Sequence, residues 1–172
     1  LCWRAVLLYV VLLAATGLGQ TQFERECAKL AKSGGRDAER LRLLLELDWR
    51  HTLADNPELA TEVGYPGLND RWSDLSLDAI ERRKREWQAP LAVIHSIRRA
   101  KLGANDQLNY DLFKYHLDQA VAANRFPEEL MPVNQLGGVQ QDLAKIFEIA
   151  PRATLKDYRD MVARLRTADR VV

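Results

Sequence analysis

Cysteine is scarce, charge is balanced and histidine is rare, and each shortage removes a class of function. The two cysteines are Cys2 and Cys27. Cys2 falls in the leader described below, so Cys27 keeps no partner, and neither a disulfide framework nor a paired-cysteine metal or redox motif can be built. Arg25 and Glu26 stand where a lipidation box would need small apolar residues, so Cys27 reads as a half-buried thiol on a helix. With 25 basic and 24 acidic residues the formal charge is +1, too small a field to draw in nucleic acid or an anionic membrane surface. The three histidines, His51, His95 and His116, stand singly on separate helical stretches. The HExxH arrangement, which sets two imidazoles on one helical face beside a glutamate, is absent, so no metal ligand and no catalytic residue is assigned. A phosphate-binding glycine loop, a serine elbow, an alternating strand pattern and an internal repeat are missing as well.

What is present begins at the amino terminus. Arg4 precedes an unbroken apolar run from Ala5 to Ala15, and small residues, Thr16, Gly17 and Gly19, come before polar Gln20 and Thr21. Basic, then apolar, then small is the order of a secretory signal, with cleavage expected near Gly17 or Gly19. The run falls short of the ~20 residues that a spanning helix needs. We therefore read residues 1–19 as a signal peptide, with an uncleaved membrane anchor as the alternative, and the protein as exported and periplasmic. Residues 20–36 read as a flexible leader holding a short helix that ends at Ser33, Gly34 and Gly35. Residues 37–172 read as one helical region. The chain opens on Leu1 rather than Met and stops at Val172 directly after a helical pattern, so both ends are expected to be cut.

The apolar spacing in that region predicts an all-α fold, an irregular array of about five to six helices. Leu41, Leu44, Leu45, Trp49 and Thr52 trace one face of a helix over about 37–54, which Asn56 and Pro57 end. After a short helix from Pro57, the segment GYPGLNDRWSDLS has turn chemistry and no period. A long helix is expected from Leu77 to about Lys101, capped by Ser76 and kinked at Pro90. Its basic patch, Arg82 to Arg85, flanked by Glu81 and Glu86, reads as a solvated face. A helix over about 105–124 follows, with Tyr110, Phe113, Leu117, Ala120 and Val121 as its core face. Gln140 to Ile149 can form another. Thr154 and Asp157 resemble a capping box that opens a last helix striped by Leu155, Tyr158, Met161, Val162 and Leu165.

The most unusual local chemistry is the amide-rich stretch Asn134, Gln135, Gly137, Gly138, Gln140 and Gln141. Side-chain amides offer donors and acceptors, and glycine allows close approach, so the stretch suits contact with a peptide backbone. It equally suits satisfying the loop's own backbone.

DNPELATEVGYPGLNDRWSDLS (55–76), LNYDLFKYHLDQA (108–120), RFPEELMPVNQLGGVQQDL (125–143) and TLKDYRDMVARL (154–165) occur in an order that resembles the amino-terminal part of bacterial proteins of the domain-of-unknown-function 885 family, from about Arg40 to the end. That family resembles helical zinc metallopeptidases. The resemblance implies a long helical parent whose downstream helix carries an HExxxGHH-like zinc motif and which removes amino-terminal dipeptides or X-Pro units. No such motif occurs in this chain, so zinc and a peptide substrate are implied for the parent only. The chain itself is expected to be a non-catalytic wall or cover of the cleft, packed against the region downstream. Asn134, Gln135, Gly137 and Gly138 are its cleft candidates. The other class left open is a non-enzymatic helical interaction or scaffold module of the bacterial envelope.

Overall fold

The computed structural model describes residues 19–130, 133 and 138–170. The apolar leader and three of the amide candidates, Asn134, Gln135 and Gly137, lie outside the described residues. Among the described residues the structure is all-helical with no strand. Its α-helices are α1 (Gln22–Lys32), α2 (Asp37–Asp55), α3 (Pro57–Glu62), α4 (Leu77–Glu86), α5 (Gln88–His95), α6 (Ala104–Ala123), α7 (Val139–Ile149) and α8 (Leu155–Arg166). No described helix is long and apolar enough to cross a membrane.

The stretch expected to be a flexible leader is instead α1, a built part of the core. Thr21 Oγ1 accepts from Glu24 N at 3.2 Å while the Glu24 carboxylate accepts from Thr21 N at 2.8 Å, a capping box that fixes the first turn. Phe23 and Cys27, four residues apart and so on one face, then turn inward and are buried. They meet Leu41 and Leu44 of α2, Val93 and Ile94 of α5, and Tyr110 and Leu117 of α6 in one cluster. Arg40 ties the arrangement together. Its guanidinium donates to the Leu30 and Ala31 carbonyls at the end of α1 at 3.2 and 3.1 Å, and to the Ser96 carbonyl just past α5 at 3.2 Å. A cation on the carbonyl ends of two helices answers both orphan acceptors and both dipoles.

The single long helix expected over 77–101 is broken. α4 stops at Glu86, α5 begins at Gln88, and a 3₁₀ turn covers Arg99–Lys101. Pro90 can return no N–H to the Glu86 carbonyl and its ring crowds the turn before it. Ser76 does cap α4, accepting from Ala79 N at 3.3 Å, and the capping box at Thr154 is present. The basic patch is not a free solvated face. Arg82 pairs with Asp55 and Glu86, Lys84 with Glu129 at 2.7 Å, and Arg83 donates to the Asp74 carbonyl at 2.8 Å. Two carboxylates from other segments, Asp55 and Glu129, and the Asp74 carbonyl therefore answer three of the four basic residues.

Apolar periodicity misplaces two faces. Trp49 and Leu77 of the expected seams are exposed, and the stripe of α8 faces outward: Leu155, Tyr158, Val162 and Leu165 are all open, whereas the buried residue of that helix is Arg164. α6 carries a second open stripe in Leu108, Leu112 and Tyr115.

Candidate functional site

Two regions hold chemistry. The first is a groove between α3 and α7, and Arg164 shapes the loop that forms one end of it. Residues 63–76, the segment without period, are held by side chains rather than by secondary structure. The Arg164 guanidinium donates from Nε to the Arg71 carbonyl at 2.9 Å, from Nη1 to Thr61 Oγ1 at 3.0 Å, and from Nη2 to the Pro57 and Leu68 carbonyls at 3.2 and 3.0 Å. Trp72 Nε1 returns a bond to the Arg164 carbonyl at 2.8 Å, and the guanidinium lies 5.2 Å from the centre of the Trp72 ring. Arg164 is 1% exposed and has no carboxylate on it. Burial pushes its pKa down, opposed by the charges of Glu58, Asp70 and Asp160; an arginine nevertheless stays charged throughout the working range. At the other side Glu58 accepts from Ser73 N at 3.0 Å and from Ser73 Oγ. Thr61 Oγ1 donates to Asn69 Oδ1 at 2.7 Å. The Leu68 and Arg71 carbonyls and the Ser73 amide of the loop thus find partners within the fold.

The groove so formed has a volume of about 510 Å³, within the range of roughly 300–1,000 Å³ typical of ligand sites. Leu59 of α3, Trp72 and Leu75 of the loop, and Leu143, Ile146 and Ile149 of α7 give it an apolar lining, while Asn56, Glu62, Asp142 and Lys145 supply polar atoms. Lys145 Nζ reaches Glu62 at 3.5 Å between the two walls. Gly138, the one cleft candidate among the described residues, lines the groove just before α7. Its φ of 139° is a conformation in which any other side chain is strained.

The second region is a part-buried polar cluster. His51 Nε2 lies 3.1 Å from Glu86 Oε2 and 3.8 Å from Asp55 Oδ2. Arg82 Nη1 stands 2.7 Å from Glu86 Oε2 and 2.9 Å from Asp55 Oδ2, and its Nη2 donates to Asp55 Oδ1 at 3.0 Å. These bonds raise the guanidinium pKa further, through Asp55 first. Phe23 stacks on the His51 ring, 3.8 Å between centroids and 8° from parallel. Asp48, one turn before His51, is held above the usual carboxylate range by burial, with His51 and His116 opposing. Burial, then the charges of Asp48 and its neighbours, pushes the Cys27 thiol up to about 12, so it is an inert core group.

The three histidines are therefore not equivalent. His116 packs edge-on against Trp87, and His95 ends α5 with an open side chain. His51 is drawn into a cluster whose second member, Asp55, stands at helical i,i+4 spacing on the same face. That spacing was visible in the sequence. Glu86 was not, because it comes from a helix whose register is set only by the break at Trp87.

The fold and groove together define an all-helical protein with an apolar cleft between short helices and no catalytic constellation among its described residues. The chain belongs to the family described as bacterial protein of unknown function (DUF885), whose model matches residues 57–172. The match starts at Pro57 rather than near Arg40, so α1 and α2 precede it, while α3, the pinned loop, α7 and α8 fall inside it. No curated protein and no solved structure matches the chain.

Proposed function

We propose that this chain is the amino-terminal, non-catalytic region of an exported, periplasmic, zinc-metallopeptidase-like protein, and that the groove between α3 and α7 lines the peptide cleft of that parent. The observation that carries the reading is the groove itself. It combines an apolar lining with polar atoms at its walls, the pattern that seats a peptide's side chains and holds its backbone, and it is built almost wholly from the residues of the family match. The open stripes of α6 and α8 support the second half of the reading, since further polypeptide of the parent would cover them. Export rests on the basic, apolar and small order of residues 4–19. Zinc and hydrolysis rest on the family resemblance alone. Asn134 and Gln135, next in sequence to the groove, are proposed to bond the peptide backbone.

Hydrolysis of amino-terminal dipeptide and X-Pro substrates by the zinc-loaded parent tests this. Leu75→Ser and Ile149→Ser alter exposed groove residues and should raise KM several-fold with little change in kcat. Arg85→Gln, an exposed residue of α4 outside the groove lining, should change neither. Groove variants with unaltered kinetics would remove the groove from the cleft. A parent that cleaves no peptide in any metal form would leave the reading without its function and favour a scaffold module.

A further inference from the structure

We propose that His51, Asp55 and Glu86 form a binding site for a divalent transition-metal ion such as Zn²⁺, at which Arg82 is the competing counter-charge. None of the three residues lines the groove between α3 and α7. One ligand atom from each of His51, Asp55 and Glu86 lies within 4.8 Å of the others. Zinc bonds to nitrogen and oxygen of about 2.0–2.2 Å place tetrahedral neighbours about 3.3–3.6 Å apart. The observed separations of 3.1 and 3.8 Å from His51 bracket that edge, and closing the ligand set would require Arg82 to leave the two carboxylates.

Arg82 already supplies one positive charge to these carboxylates, so an ion would replace it, and two further observations show unused bonding capacity and room for one. Glu86 is 3% exposed, and its Oε1 has no hydrogen-bond partner; Asp55 Oδ2 is likewise buried without one, because Arg82 Nη1, though 2.9 Å away, is not aligned to donate to it. Unpartnered buried carboxylate oxygens are costly unless something supplies positive charge. Beside the cluster lies a cavity of about 60 Å³ lined by Asp48, His51, Asp55 and Glu86, room enough for the water that completes a three-ligand zinc site. Phe23, which also lines the cavity, stacks on the imidazole and restricts the orientation of its plane. Arg82 is the most exposed member of the cluster, its side chain 27% open against 23% for His51, and can swing toward solvent as the ion enters.

The experiment uses the full chain stripped of metal by chelator dialysis, titrated with Co²⁺ for its ligand-field absorption and with Zn²⁺ against a chromophoric chelator. One equivalent should bind with a tetrahedral cobalt spectrum. Glu86→Gln, which preserves shape, and His51→Gln should each weaken binding at least about 100-fold. Arg82→Gln should tighten it about tenfold, the worth of one released charge-assisted hydrogen bond. Circular dichroism establishes that each variant is folded, and Glu86→Gln decides if His51→Gln is not. The proposal is overturned by the absence of cobalt absorption in both the native chain and Arg82→Gln. Binding indifferent to Glu86→Gln, or a thiolate-to-cobalt charge-transfer band placing the ion on Cys27, would equally overturn it.

Discussion

Replacing Arg164 should unfasten the loop over residues 63–76 and destabilise the whole chain. Four hydrogen bonds leave its guanidinium, to three backbone carbonyls and one hydroxyl, and a 1% exposed site admits little water to take them over. Arg164→Met keeps most of the apolar stem and deletes every donor. Each orphaned buried acceptor costs about 1–3 kcal/mol. Thr61 retains its bond to Asn69, and the Arg71 and Leu68 carbonyls belong to a loop that can relax outward, so the sum should fall near the low end, about 3 kcal/mol. Arg164→Lys restores the charge with a single nitrogen and should recover less than half of that loss. Urea unfolding of the full chain followed by circular dichroism gives the free-energy difference. Limited proteolysis under native conditions should show new cleavage between Val63 and Ser76. An Arg164→Met variant within about 0.5 kcal/mol of the parent sequence, its loop still resistant to protease, would refute the assignment of Arg164 as the fastening.

Phe23→Ala removes a buried ring stacked on His51 and should cost about 3 kcal/mol, with hydrogen exchange rising first in α1; unchanged protection there would return α1 to a peripheral role. Cys27 should resist alkylation in the native chain and react fully in urea, and because its folded pKa of about 12 exceeds the unfolded one, the associated stability is complete below the unfolded value and is lost as pH climbs from there toward 12. A native thiol modified as fast as a free one would contradict its burial. Asp48 is raised by burial, so its ionisation works against folding: the stability it contributes as a neutral acid is present below its unfolded pKa and lost as pH rises through the folded one. Asp48→Asn should therefore hold or raise Tm at neutral pH and lose that advantage in acid; a Tm that drops more at neutral pH than in acid would reverse the sign of this reasoning.

Helix positions were legible where punctuation is chemical. Ser76, Thr154 and Pro57 mark helix starts through an oxygen or a ring with a fixed local geometry, and each does so in the structure. Outcomes diverge where three-dimensional packing overrides a stripe. The seam of α8 predicts an inward face for Leu155 and Tyr158, but a buried guanidinium with four acceptors outweighs those side chains and turns the helix so that Arg164 points in. Nothing local reveals this, because the acceptors lie 93 to 107 residues away. The apparent leader joined the core for a similar reason: Phe23 and Cys27 carry too little pattern in a short helix to announce burial, and their partners are on α2, α5 and α6. Of the groove, Gly138 was singled out from composition. Leu59 and Ile146 were not, since each looks like an ordinary core residue until α3 and α7 are set side by side.

The tether from Arg164 also fixes an order of events during synthesis. Pro57, Leu68 and Arg71 leave the ribosome long before the residue that satisfies their carbonyls, whereas α1, α2, α5 and α6 can already associate. The nascent chain thus carries an unfinished segment until α8 emerges, and that interval is when chaperones would find it most pliable.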